Sequence, residues 1–256
     1  MMRRWAILGA VSGGLAATLV HAPAAWLSAV VDGATDSWVQ LLDPRGTVWK
    51  GDGHLRFGQG ANDAEARVLP GRVSWLWGWD SGAVNLTLRA ECCSQEGQHM
   101  RWAPGWGRLT LHLADGTSQW PAGLLAGFGA PWNTVQAEGE LRVRTQGMSV
   151  EWSGARTRLQ GQLQAEALAM ASRLSTLRPV GSYQVTLSAP APDLPPELQL
   201  RTLEGPLRLE GSGQWTGTVW RFRGEASADP PSEAVLDNLL NILGRRQGSR
   251  SLLTWG

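Results

Sequence analysis

Gly107-Arg-Leu-Thr-Leu111 sets a glycine before a short run whose apolar residues stand two apart, and the unit recurs along the chain as Gly53-His-Leu-Arg-Phe57, Gly139-Glu-Leu-Arg-Val143 and Gly205-Pro-Leu-Arg-Leu209. In every copy the third and fifth positions are apolar and the residue between them is polar. That period of two belongs to a strand with one buried and one wet face. Val84-Asn-Leu-Thr-Leu-Arg89, Tyr183-Gln-Val-Thr-Leu187 and Trp220-Arg-Phe-Arg-Gly224 alternate likewise. Gly, Pro, Asn and Asp punctuate the gaps between them. The pattern predicts a mainly β protein, a chain of antiparallel hairpins forming a curved or layered sheet. Recurrence of the unit suggests two similar halves, about residues 40–115 and 130–230, although the units are short and unevenly spaced.

Helical periodicity is scarce. Ser232-Glu-Ala-Val-Leu-Asp-Asn-Leu-Leu-Asn-Ile-Leu-Gly244 has apolar residues at 235, 236, 239, 240 and 243, with Ser232 placed to cap its start and Gly244 to end it. Arg245 and Arg246 follow where a helix C-terminus favours positive charge. Pro121-Ala-Gly-Leu-Leu-Ala-Gly127 suits a second short helix or a tight packing element, and Pro190 to Pro196 reads as an exposed connection.

The N-terminus carries a targeting signal. Arg3 and Arg4 precede an uncharged run from Trp5 to Val20, the charged start and apolar centre of an export segment. Two outcomes are open from the residues. Ala22-Pro23-Ala24 imitates a small-x-small cleavage site, whereas the next charge is Asp32, so an apolar stretch continuing through Val31 is long enough to span a bilayer, which takes about 20 residues. The expected division is a cytoplasmic N-terminus and signal anchor over 1–31, followed by an exported β-rich part over 32–256. Arg3 and Arg4 stay inside by the positive-inside rule. Gly9 and Gly13 form a small-xxx-small pair that suits close helix packing, as well as the plain glycine and alanine richness of such segments.

Composition narrows the function classes. With 43% hydrophobic residues and 18% charged ones, the chain is of the folded, globular kind. Basic and acidic residues number 23 and 22, so no global field gathers nucleic acid. The arginines are scattered singly rather than set in a patch. The two cysteines are adjacent, Cys92 and Cys93. Neighbours rarely reach disulfide geometry, so a buried or incidental pair is expected over a bonded or metal-binding one, and fold stability is expected from a core.

Chemistry-bearing motifs are missing. There is no G-x-S-x-G, H-E-x-x-H, phosphate-binding loop or C-x-x-C, and His21, His54, His99 and His112 have no second ligand at useful spacing. No catalytic residue, cofactor or metal is therefore expected. The most distinctive stretch is Val73-Ser-Trp-Leu-Trp-Gly-Trp79. As a strand it projects Trp75, Trp77 and Trp79 from one face. Such an indole ladder is core if covered and a partner or groove face if exposed.

A family resemblance rests on elements spread over nearly the whole chain. Pro23-Ala-Ala-Trp26, Gly46-Thr-Val-Trp-Lys-Gly51, Leu69-Pro-Gly-Arg-Val-Ser-Trp75, Pro121-Ala-Gly-Leu-Leu125 and Gly129-Ala-Pro-Trp-Asn-Thr134 are followed by Pro179-Val-Gly-Ser-Tyr183, Arg221-Phe-Arg-Gly-Glu-Ala226 and Leu239-Leu-Asn-Ile-Leu-Gly-Arg-Arg246. Together they resemble protein N of the bacterial type II secretion system, the general secretion pathway. The resemblance implies a single-pass inner-membrane protein with its bulk in the periplasm, a part of the machine that exports folded proteins across the outer membrane. It implies no catalytic residues, and its partners are other secretion subunits. On this reading, strand edges and Trp-rich faces dock on those subunits. A second reading, from a weaker resemblance to AsmA-like envelope proteins, makes the sheet a lipid-binding groove used in envelope maintenance.

Overall fold

The computed structural model describes residues 12–14, 16–58, 60, 63–129, 132–154, 156–191 and 194–256. The alternating stretches become strands of one antiparallel sheet, sixteen among the described residues. They are β1 (Val39–Gly46), β2 (Lys50–Phe57), β3 (Arg67–Val68), β4 (Val73–Asp80), β5 (Ala83–Ala90), β6 (Ser94–Gly105), β7 (Arg108–Leu113) and β8 (Gly116–Pro121). There follow β9 (Ala137–Ser153), β10 (Arg156–Ser172), β11 (Gly181–Ala189), β12 (Glu197–Glu204), β13 (Leu207–Trp215), β14 (Trp220–Ala228), β15 (Arg245–Gln247) and β16 (Arg250–Trp255). Neighbours follow chain order with three departures. β3 is an extra partner of β2, β8 shares an edge of β9 with β7, and β16 lies between β14 and β15.

Short turns make hairpins the easy connection. Ser81 and Gly82 both have positive φ, 50° and 76°, between β4 and β5. That pair is the two-residue turn whose twist matches antiparallel strands. β9 and β10, 17 residues each, form the longest pair. The first part of β9, Glu140–Thr145, pairs with β8, and its last part, Ser149–Ser153, with β7. Between the two parts the register of β9 and β10 shifts at Gln160/Gln162. Gly161 sits at the shift with φ +106°, and a Cβ there would run into the backbone of Gly147 and Met148. Only glycine fits such a crossing without strain.

Three apolar clusters lie on the sheet. The helices are α1 (Ala25–Ala34), the single turn α2 (Trp132–Val135) and α3 (Glu233–Leu243), and α3 caps the largest cluster. Leu236, Leu239 and Leu240 of α3 are buried against Met170, Val180, Tyr183, Leu207 and Ala226. The Tyr183 hydroxyl donates to Leu207 O at 3.1 Å, and burial pushes its pKa up. A second cluster joins Leu69, Val73, Ala90 and Cys93 to Leu124, which the 3-10 segment Ala122–Phe128 carries down from between β8 and β9. The third gathers Ala24, Leu41, Trp75 and Leu86. Arg72 ties β1 and β2 to the start of β4 by donating to Asp43 at 2.9 Å and to Asp52. Its hydrogen bond holds the Asp43 carboxyl below the usual range.

Several expectations change in detail. Ser232 precedes α3 but makes no side-chain cap bond, and Gly244 is extended rather than left-handed. The last turn is satisfied from the sheet instead: Ser251 Oγ, fully buried, donates to Leu240 O at 2.7 Å. Arg246 belongs to β15 and pairs with Asp237 at 2.9 Å and Glu233 at 3.6 Å, toward the start of α3 rather than its C-terminus. The expected helix over 121–127 is 3-10, which suits its two glycines. The described strands join one hydrogen-bonded sheet rather than separate layers.

The anchor expected over 1–31 falls in part on residues 1–11 and 15, outside the described residues, and Gly9 is among them. Residues 12–14 and 16–20 are helical, and an added Cβ at Gly13 would meet nothing within 4 Å. Among the described residues no helix is long and apolar enough to cross a membrane. The apolar stretch does not continue as one helix through Val31. Pro23 bridges Thr47, Ala22 and Ala24 are buried, and α1 starts afresh at Ala25.

Two substitutions test this architecture. Leu240→Ala is expected to lower stability by about 2–5 kcal/mol, since it empties a fully buried site under α3. Gly161→Ala is expected to cost about 1–3 kcal/mol through backbone strain alone. Denaturant unfolding of the two variants beside the parent chain gives both numbers.

Candidate partner surface

The indole ladder of β4 is graded. Trp75 is 5% exposed and Trp79 is 74% exposed, with Trp77 between them. Trp75 is a core residue: it packs with Ala24, Leu41 and Leu86, and its Nε1 donates to Thr47 O at 3.1 Å. Gly51 lies so close to its ring that a Cβ there would clash. Trp77 is half-buried against Trp102 of β6, with ring centroids 5.6 Å apart and planes 31° apart, a geometry worth about 0.5–1.5 kcal/mol beyond burial. Trp79 stands in solvent on the same face.

Register carries that face across the sheet. Trp79 is opposite Val84, Val84 opposite Trp102, Trp102 opposite Leu111, Leu111 opposite Val150 and Val150 opposite Leu159. These direct partners span β4, β5, β6, β7, β9 and β10. Cross-strand partners have Cβ atoms about 5 Å apart, so the row is one continuous apolar stripe. Leu111, Val150 and Leu159 belong to none of the three clusters and stay partly exposed. At its border the β6–β7 turn holds Trp106 fully in solvent, and Leu109 and Trp152, themselves opposite one another, are exposed too. The same face continues through Leu163, Leu187 and Leu198 on β10, β11 and β12.

The opposite face is polar, and its groups are occupied with each other. Arg158 donates to Glu151 at 3.3 Å. Gln164 and Gln184 both donate to Glu166, and Arg201 donates to Gln184 at 2.6 Å. The half-exposed Arg158–Glu151 pair contributes little stability, whereas Gln184 is buried and its bonds satisfy its amide. The histidines are apart: His54 lies against Gly71 O, His99 against Thr87 Oγ1, and His112 is on the wet face of β7. Among the described residues no group of three or more His, Cys, Asp or Glu side chains could hold a metal ion.

Cys92 and Cys93 correct an expectation. They form a disulfide in the tight turn between β5 and β6. Cys93 is buried against Leu69, Val73, Ala90 and Leu124, while Cys92 is exposed. The turn brings together two sulfurs that adjacency alone was expected to keep apart.

The stripe was only partly readable beforehand. Trp75, Trp77 and Trp79 stand out by spacing, whereas Trp102, Leu111, Val150 and Leu159 join them only through register. Leu111 ends one of the repeated glycine-led units, which is the one signal pointing to it.

The sheet, its polar and apolar faces and the scarcity of reactive clusters can be set beside known proteins. No curated relative and no solved structure matches the chain. A family model described as type II secretion system (T2SS), protein N, matches residues 37–252, from the last residues before β1 to the middle of β16. The chain therefore belongs to the protein N family of the type II secretion system and is a component of that envelope-associated export machinery.

Proposed function

We propose that this chain is a non-catalytic inner-membrane subunit of the secretion system, anchored by its N-terminal apolar segment with the sheet in the periplasm, and that the apolar stripe is where it holds another secretion component. The observation that carries this reading is the row from Trp79 to Leu159: six strands contribute apolar residues to it, and its middle is left partly exposed. Uncovered apolar area of this kind marks a contact surface. The strand edges serve this purpose less well. β1 carries Pro44 and a register break between Leu42 and Arg45, and β15 is three residues long. Both features blunt strand addition.

The ladder separates folding from contact. Trp75→Ala is expected to lower stability by about 3–5 kcal/mol, and Trp79→Asp to leave the thermal melt of the purified protein close to that of the parent. In cells, a photo-crosslinking residue at Trp79 or Leu111 is expected to join the chain to another secretion subunit, and one at His112 on the wet face is not. Equal adducts from the two faces would remove the assignment of the stripe. Adducts to phospholipid in place of subunits, with stoichiometric lipid in the purified protein, would replace it with the lipid-groove reading.

A further inference from the structure

Helix α1 has two unlike sides. Leu27 faces the cluster of Ala24, Leu41 and Trp75, while Trp26 and Val30, four residues apart, are 51% and 63% exposed. Ala25, Ala29, Gly33 and Ala34 complete the exposed side. No Lys, Arg or Glu occurs in α1, and its single acid, Asp32, is half-buried. A helix on a water-facing surface puts charged and polar groups outward. This one puts out tryptophan, valine and small residues, so its outer side is covered by something apolar.

The chain itself says by what. From Trp5 to Val31 there is no Asp, Glu, Lys or Arg, and α1 is the last part of that stretch. Residues 19–24, from the end of the first helical stretch to the start of α1, are fastened to the end of β1 and the β1–β2 turn: Trp49 Nε1 donates to Leu19 O at 2.9 Å, Val48 N to Ala22 O at 2.9 Å, and Ala24 N to Gly46 O at 3.1 Å. Three links within six residues leave no flexible spacer between the export segment and the sheet. Whatever medium holds the apolar run ends at Trp49 and at the start of α1. Both places carry an exposed indole, Trp49 and Trp26, the side chain enriched where a bilayer meets water.

We infer that α1 lies flat on the phospholipid bilayer, with Trp26, Val30 and Trp49 in the headgroup region of the leaflet from which the chain emerges. The inference rests on the anchored reading above and adds to it a fixed height and orientation for the sheet. Leu27 and Ala24 hold the helix to the protein, and its opposite side is held by lipid. The polar side that an interfacial helix normally keeps in water is replaced here by the packed face against β1 and β4.

Reconstitution of the full-length chain in vesicles of phosphatidylethanolamine and phosphatidylglycerol tests this. An environment-sensitive fluorophore is placed at Val30→Cys, with Trp26→Cys as a second position on the same side and Val219→Cys, in the β13–β14 turn, as the exposed reference. Labelling without reductant leaves Cys92 and Cys93 bonded. The expected result is blue-shifted emission at positions 26 and 30, quenching by nitroxide carried near the lipid headgroup and protection from aqueous iodide, with the reverse at 219. Probes at 26 and 30 that behave like 219, in protein that resists an alkaline carbonate wash, overturn the inference and leave the anchor standing. Probes shielded from iodide yet untouched by lipid nitroxide overturn it in favour of a protein cover. Release of the chain by the wash overturns the anchored reading itself.

Discussion

The pairing of β9 with β10 is what makes this molecule one sheet. β9 is long enough to accept β7 along its last part and β8 along its first, while its other edge is taken throughout by β10. Strands before β9 and strands after β10 meet nowhere else in the ladder. Without that seam each side would be a smaller sheet with little cover. The 3-10 segment Ala122–Phe128 reinforces it from above, sending Leu124 into the cluster of Leu69 and Val73 and Ala122 into the cluster under α3. Gly161 lets the seam change register at a point where a side chain would strike the backbone of Gly147 and Met148.

Period-two alternation made the strands legible, since a polar residue between two apolar ones has only one comfortable conformation when half the surface is wet. The helix over 233–243 was legible for the matching reason, with apolar residues every third or fourth position. Register was not. Nothing local tells Trp102 that it will stand opposite Leu111, because partner choice is settled by turn lengths and by which face each neighbour buries. The grading of Trp75, Trp77 and Trp79 was hidden likewise: equal spacing gave them one face, and only the packing of Ala24 and Leu41 over one end distinguishes them. Ser232 shows the opposite failure. Its cap at the start of α3 was expected from local sequence and makes no side-chain bond, whereas at the other end of the helix Leu240 O receives a bond from Ser251 of β16.

The two faces of the sheet differ in what they leave unspent. On the polar face, Glu166 receives two glutamine amides and Arg201 is engaged with Gln184, so much of its hydrogen-bonding capacity is used within the sheet. On the apolar face, α3 covers one end and the 3-10 segment another, and the row through Leu111 and Val150 lies outside these clusters. Burial of apolar surface yields about 25 cal/mol per Å². On the proposed reading, association at the stripe would draw on that term, with Trp79, Trp106 and Trp152 exposed at its border.

The proposed membrane contact and the proposed partner contact share a core. Trp75 is packed with Ala24, whose cluster also takes Leu27 of α1, Trp77 and Leu86, and Trp102, which belongs to the stripe. A shift of α1 against the sheet moves the residues that set the ladder, and a load on the ladder reaches the helix through the same side chains. Packed clusters transmit displacement because they have no slack. On the inferred arrangement, the height and tilt of α1 on the bilayer set the direction in which the stripe faces. A subunit docking on the stripe as proposed would then meet it at one orientation relative to the membrane.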